Sequence, residues 1–508
     1  MSTSNPEQKK AERKRVKLSV RFLLFLIVVA ALVPVAYAGW SELYGTFLEH
    51  GAPQIHEVGQ FPRGIGVAPV TIRWRLSDNG AGLDEVVVRT KQKGVVREVL
   101  RQKLERRPQV QIEVSFQGQE SDLEEGQVDV IVRAFDASFW SNAAEKIYPL
   151  TVDFRKPDLR VVSTQHNASQ GGSQLVLYEA YDDNIAVSGV RVGRHTFIGY
   201  SAKGLDPAFA GNKDLYACIY AIDGQEPDAE KLSPRVFAED TVGNAKSTSF
   251  YNKVFAQRWG ALRIVLPERF MRDQVTMLAE NNYLKLRQAA RETGRSIEYS
   301  GPAGSTARLI EQFKLVNEDL RRINYNEMEA LLKSRGSFEK LWRDEFARPA
   351  GIARAEYGHT LRFMYQGEAV GSAFSQGYEM LPTTADKAVT AANNGVVIFS
   401  DNIGVYGRVI GIDHGLGVFT TYGHLDSAAV SSGDMVEAGQ LIGYAGESGF
   451  AVAGGVHFEV WVQSVPVNPR EWWDKNWYYS HFTDKIAAAK KSLGIPVYEP
   501  FGAPRQIP

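Results

Sequence analysis

The stretch YGRVIGIDHGLGVFTTYGHLD, Tyr406 to Asp426, sets short apolar runs between glycine-bearing turns. Segments of the same character flank it: KAVTAANNGVVIFSDN before it, and SGDMVEAGQLIGYAGESG and VHFEVWVQSVPVNPREWWD after it. Runs of this length, rich in Val and Ile and broken by Gly and Asn, read as short strands joined by tight turns. They predict a compact antiparallel β-domain over residues 349–474.

The 508-residue chain is too long for a single core, so several domains are expected. Hydrophobic residues make up 44% and charged residues 23%, a globular composition, and a net charge of -1 gives no pull toward nucleic acid. Charge is nevertheless uneven. Lys9, Lys10, Arg13, Lys14, Arg15, Lys17 and Arg21 crowd residues 1–21, and an uncharged run, FLLFLIVVAALVPVAYAGW, fills 22–40. At ~1.5 Å of rise per residue that run approaches the ~30 Å hydrocarbon core of a bilayer. It predicts a transmembrane helix or signal anchor in a bacterial inner membrane, with the basic tail cytoplasmic and the bulk of the chain in the periplasm. A cleaved signal peptide ending at Ala36-Tyr37-Ala38 is the other reading, and it exports the same residues. Cys218 is the one cysteine. In the setting LYACIYAI it reads as an inert thiol on a buried strand.

Between residues 59 and 255 the pattern has period two, as in VTIRWRL, VDVIVRAF and LVLYEAY, punctuated by Gly, Asn and Asp. LSDNGAGLDEVVV aligns with AYDDNIAVSGVRV, and RAFDASFWSN with VFAEDTVGN. Asp78 and Asp136 lie 58 positions apart, as do Asp182 and Asp240. Two tandem β-sandwich modules are therefore expected, 59–154 and 155–255, resembling bacterial surface immunoglobulin-like domains. Their aspartates serve either as turn formers or as calcium ligands, and turn formation is the simpler role. A stalk or spacer is the function such modules suggest.

Residues 266–346 change to a helical pattern. Leu309, Phe313, Val316, Leu320 and Ile323 fall on one apolar stripe, and Ser300-Gly301-Pro302-Ala303-Gly304 separates this helix from the one before it. The stripe needs a cover: either the neighbouring helix or the next domain, or, where the helices form a regulatory arm, the C-terminal groove it occludes or a partner it docks. Residues 475–508 read as a C-terminal tail, irregular after Gly494 with Pro496, Pro500, Pro504 and Pro508, and the aromatics of EWWDKNWYY as packing against the sheet or helices.

The IDHG turn, the YGHL motif, the G-Q-x-I-G turn and the HFEV strand together resemble the lysostaphin/LytM-type zinc metallopeptidases, which cut peptide crossbridges of bacterial cell walls. The likeness covers about a quarter of the chain. It implies a zinc ion on three ligands, two from a His-x-x-x-Asp motif and one from the second histidine of His-x-His, with an activated water in the open position. The first His-x-His histidine and the YGHL histidine assist that water. Carried onto this chain, the ligand positions read Ser375, Glu379 and His457, and the assisting positions Gly455 and His424. Ser375 and Gly455 are thus lost family positions. A neutral hydroxyl is a poor zinc ligand, the extra methylene of Glu379 displaces its carboxylate, and glycine transfers no proton.

The resemblance therefore implies a degenerate domain that binds peptidoglycan or regulates a wall hydrolase such as an amidase, without zinc; together with the apolar run and the net charge it predicts a membrane-anchored envelope protein without nucleic-acid partners. Two alternatives stand: an active zinc endopeptidase using Glu379, His457 and a third group, and a structural envelope spacer. His414 reads as a turn residue and His359 as a remote candidate ligand. Tyr378, Tyr422, Phe458 and Trp461 read either as groove walls or as core.

Overall fold

In the computed structural model, the residues described are 25–37, 39–40, 50–118, 122–333 and 336–497. The expected span at 22–40 falls partly outside them and the basic stretch 1–21 wholly so. Residues 25–37 and 39–40 are helical and exposed. Among the described residues no helix is long and apolar enough to cross a membrane, so the span rests on its sequence alone. The chain divides into two compact units, residues 1–156 with 240–244, and residues 157–239 with 245–508.

In the first unit, strand Val70–Ser77 lies between Gln54–Glu57 and Gln109–Phe116 in a three-stranded sheet. A five-stranded sheet runs in the order Gly64–Ile65, Ala143–Val152, Gly126–Asp136, Leu83–Gln92, Val95–Arg107. The alternation VTIRWRLS buries Ile72, Trp74 and Leu76, which join Val86, Val88, Val130 and Val132 of the second sheet in one core. Each such buried side chain contributes about 1.5–3 kcal/mol.

The second unit begins with another pair of sheets. One orders Tyr200–Ser201, Leu215–Ala221, Ser173–Tyr181 and Asp158–Val161; the other orders His195–Ile198, Ile185–Val192, Arg235–Asp240 and Ala245–Ser249. Cys218 is buried there, its thiol pushed above the usual range by burial, as expected of an inert cysteine. The repeat has a structural counterpart. Asp78 and Asp182 follow strands Val70–Ser77 and Ser173–Tyr181, whereas Asp136 and Asp240 end strands. All four accept bonds within their turns: Gly82 N to Asp78 at 2.7 Å, Asn142 Nδ2 to Asp136 at 2.8 Å, Asn184 N to Asp182 at 2.8 Å and Val242 N to Asp240 at 2.9 Å. Turn formation accounts for their spacing.

Helices then occupy Phe270–Val275, Thr276–Asn281, Tyr283–Glu292 and, after a break, Thr306–Lys314, Leu315–Leu320 and Arg321–Lys333, the Leu315–Leu320 turns being π-helical. Ser305 caps the second run, its Oγ accepting from Arg308 N. The stripe Leu309, Phe313, Val316 and Leu320 is buried within the same chain. Phe313 meets Phe363 and Phe450 at ring distances of 5.4 and 5.8 Å. Phe363 belongs to a three-stranded sheet, Ala261–Val265, Thr360–Tyr365 and Glu368–Phe374, that the sequence pattern did not reveal.

Two boundaries differ from expectation. The described helix runs to Lys333, and residues 336–346 are irregular, where Trp342 and Phe346 pack on Trp472 at 6.2 and 5.1 Å. The expected tail is instead helical over Lys475–Tyr478, Tyr479–Thr483 and Asp484–Ser492. Asp474 caps its start by accepting from Asn476 N and Trp477 N, and Phe482 anchors it among the same tryptophans. Residues 498–508 lie outside the described set.

The C-terminal β-domain forms as expected. Its sheet runs in the order Ile352–Ala355, Tyr378–Leu381, Val456–Val462, Val418–Ala428, Gly407–Gly415, Gly395–Ile403, Met435–Val436, with Leu441–Ala445 and Val465–Val467 on its branches.

Candidate functional site

Strand pairing assembles the site. Glu379 stands opposite His457 on adjacent antiparallel strands, and Gly423 opposite His457 on the next, so that His424 follows immediately. His424 holds a left-handed backbone (φ 63°), which costs a non-glycine residue about 1 kcal/mol and turns its ring toward the other two. Its Nδ1 donates to Ser448 O at 2.9 Å, leaving the Nε2 lone pair facing Glu379 Oε1 at 3.8 Å. Glu379, His424 and His457 bring three donor atoms within 4.8 Å of one another.

The shortest contact is Glu379 Oε1 to His457 Nδ1 at 2.7 Å, and the far side of the ring is also taken, with Nε2 2.8 Å from Glu459 Oε1. A carboxylate on each ring nitrogen requires both nitrogens to donate, which makes His457 an imidazolium. Glu459 is buried and accepts further bonds from Thr421 Oγ1 and Trp461 Nε1. Burial alone would lower the His457 pKa, but the charges of Glu379 and Glu459 and their hydrogen bonds outweigh it and hold it well above the usual value. Burial likewise acts to raise Glu379, and His457, His424 and Arg321 reverse it, holding the carboxyl below its usual range. His424 is pushed down, chiefly by burial.

The donor set can be tested against zinc. Two ligands about 2.1 Å from one tetrahedral zinc stand about 3.4 Å apart, whereas 2.7 Å is a hydrogen-bond length. Ser375 is buried and donates its hydroxyl proton to Gly377 O at 3.0 Å. A Cβ at Gly455 would meet Met380 O at 2.7 Å, so the backbone has closed where the family's histidine stands. As arranged, these residues fit an ion pair and not the bite of a tetrahedral metal.

Other candidates resolve plainly. His414 is fully buried, its Nδ1 2.7 Å from Asn394 O and Nε2 2.8 Å from Thr420 Oγ1, and burial lowers its pKa to about 4; it is a core residue. His359 accepts from Glu356 N at 3.2 Å and stays outside the cluster. Tyr378, Tyr422, Phe458 and Trp461 are core, not groove walls: Phe458 stacks on Trp473 and Tyr422 accepts from Ala392 N.

Two functional neighbours escaped sequence reasoning. Glu459 lies two residues beyond His457, on the same face of its strand, and period-two logic could have found it. Arg321 comes from the helices immediately after the π-helical turns, and no local pattern points to it. Its guanidinium lies over Phe450 at 5.1 Å, donates to Asn317, and is drawn below its usual pKa by burial. His457 and Arg321 thus set two positive charges beside Glu379 and Glu459. The cluster opens on a cavity of about 380 Å³ with walls of Leu262, Ile264, Phe363, Met380 and Phe450.

Residues 373–469 match the family model described as Peptidase family M23, and this C-terminal region is a LytM-type M23 domain. The chain is 36% identical over 118 residues to the murein hydrolase activator EnvC of Escherichia coli, covering 23% of this chain and 26% of that protein. It is 36% identical over 81 residues to the DD-carboxypeptidase/endopeptidase Mpg of Neisseria meningitidis serogroup B, covering 16% and 19%. It is 34% identical over 92 residues to the stage II sporulation protein Q of Bacillus subtilis, covering 18% and 32%. The matched span is a third or less of each relative's own length.

Proposed function

We propose that this chain is a cell-envelope protein whose LytM-type domain is non-catalytic and regulates a cell-wall hydrolase or holds peptidoglycan in wall remodelling. The observation that carries this reading is the seating of His457 between Glu379 and Glu459, 2.7 and 2.8 Å away. An imidazolium has no lone pair for a metal, and its charge together with that of Arg321 supplies locally the two positive charges a zinc ion would bring. Ser375 and Gly455 stand where the third ligand and the proton-transfer group would be. The likeness to a murein hydrolase activator supports the regulatory reading. The uncharged run at 22–40 supports a single-pass anchor in the inner membrane, and the two β-sandwiches, read as immunoglobulin-like modules, act as the spacer that carries the domain into the periplasm.

A second reading is favoured by the convergence of Glu379, His424 and His457, which would hold zinc if the Glu379–His457 contact opened and His457 gave up its proton, with Glu459 orienting the ring. The likeness to Mpg fits it. One experiment separates the two. Purified protein is incubated with peptidoglycan sacculi, alone, with zinc, with chelator, and with a wall amidase. The expected result is no fragment release by the protein alone under any metal condition and a raised amidase rate. Zinc-dependent digestion abolished by His457→Ala overturns the proposal.

A further inference from the structure

The cavity in front of Glu379 and His457 is bounded by two open sheet edges. Strand Ala261–Val265 ends the three-stranded sheet, strand Ile352–Ala355 ends the large sheet, and among the described residues neither pairs with another strand on its outer side. Both line the cavity, the first through Leu262, Arg263, Ile264 and Val265, the second through Arg354 and Ala355. An open strand edge presents a row of unpaired N–H and C=O groups, a template for an added strand. The register of Ile352–Ala355 against Tyr378–Leu381 shifts between Ala353 and Ala355, leaving Arg354 as the bulged residue, a device that re-aims a side chain.

Charge narrows the occupant. The lining holds three arginines: Arg321 faces the charges of Glu379 and Glu459, whereas Arg263 and Arg354 have no ion-pair partner among the described residues. The single lining carboxylate, Glu379, is engaged by His457. Exposed arginines held around an apolar floor complement an anion with an apolar neighbour. The wall of Leu262, Ile264, Phe363 and Met380 offers that neighbour a seat.

We infer that this cavity binds an extended acidic segment of a partner protein, which adds as a strand to one of the two edges and places its carboxylates on Arg263 and Arg354. The inference rests on the non-catalytic reading of the domain and names the partner's chemistry. Regular strand pairing requires a chain of uniform L-chirality, which favours a protein segment over the mixed L,D stem peptide of the wall.

The test uses the full chain and fluorescein-labelled all-L pentapeptides, Val-Glu-Val-Glu-Val and its Gln and Lys counterparts, beside a wall stem peptide, read by fluorescence anisotropy at low and moderate salt. The Glu peptide is expected to bind about tenfold more tightly than the Gln peptide, with the difference shrinking as salt rises. Arg263→Glu with Arg354→Glu, both exposed positions, is expected to abolish that preference and favour the Lys peptide. Equal binding of Glu and Gln peptides, tighter binding of the stem peptide, or a double variant that keeps the Glu preference overturns the inference. Amidase stimulation that persists while the Glu preference is absent sinks this inference and leaves the regulatory function standing; zinc-dependent wall digestion sinks the latter.

Discussion

Glu379 and His457 face each other across an antiparallel strand pair with 2.7 Å between Oε1 and Nδ1. Because Glu459 holds the opposite nitrogen, His457 is expected to keep both ring protons through neutral pH. Imidazole nitrogen shifts should show the imidazolium form at about pH 8, well past the ordinary histidine midpoint of about 6.5. Removing one charge with Glu379→Gln should move the His457 midpoint down. A neutral His457 at pH 7 in the parent protein would contradict the ion pair. The linkage has a definite sign on each side. Stability from the raised His457 is lost as pH rises through its folded midpoint, and stability from the depressed Glu379 is lost as pH falls through its own.

Gly455 marks more than a missing histidine. Its amide donates to Gly446 O at 2.9 Å, and a Cβ there would lie 2.7 Å from Met380 O. Restoring the family's side chain should therefore strain the backbone. Gly455→His is expected to cost about 1–3 kcal/mol in chemical denaturation and to bring no zinc-dependent wall cleavage, whereas a variant as stable as the parent would show that the strand relaxes freely.

The C-terminal domain was legible because its strands announce themselves in sequence order: the runs around His414 and His424 pair with each other, glycine turns set the strand ends, and the run around His457 carries its own apolar pattern although it pairs back to Gly423 and Glu379. The helical stripe was legible for the same local reason. The three-stranded sheet was not, since Ala261–Val265 pairs with Thr360–Tyr365 across about a hundred residues and carries no alternation strong enough to stand alone. The site divides likewise. Glu379, His424 and His457 could be placed from motif spacing, but Arg321 reaches the cluster only through tertiary packing of its helix. The C-terminal helices escape a reading of 475–508 as a tail, because the aromatics of EWWDKNWYY announce packing against the sheet or helices and not the helical path itself.

The helices are held to the domain by Phe313, which touches Phe363 and Phe450 and is fully buried. Phe313→Ala should cost about 3–5 kcal/mol, and because Arg321 rides on the same helical run, it should also expose the loop around Phe450 to limited proteolysis. Unchanged stability and cleavage would mean that the helices are not anchored by this contact.

Glu471 offers a pH signature of its own. Half-buried, it accepts from Ser173 N at 2.9 Å, and desolvation, only partly opposed by that bond, raises its pKa to about 8. Gly172 packs so closely that a Cβ there would meet Glu471 Oε1 at 2.3 Å, which keeps water from that side of the carboxyl. The folded protein therefore keeps this carboxyl protonated where the unfolded chain has already lost the proton. Folding stability attributable to Glu471 is complete below the ordinary glutamate midpoint of about 4.3 and declines as pH rises from there toward about 8, by up to about 1.4 kcal/mol per unit. Glu471→Gln keeps an acceptor for Ser173 N and removes the titration. It should match the parent at about pH 5 and melt at a higher temperature than the parent at about pH 7.5. A parallel pH dependence of the two melting temperatures would show that Glu471 is ionised in the folded state.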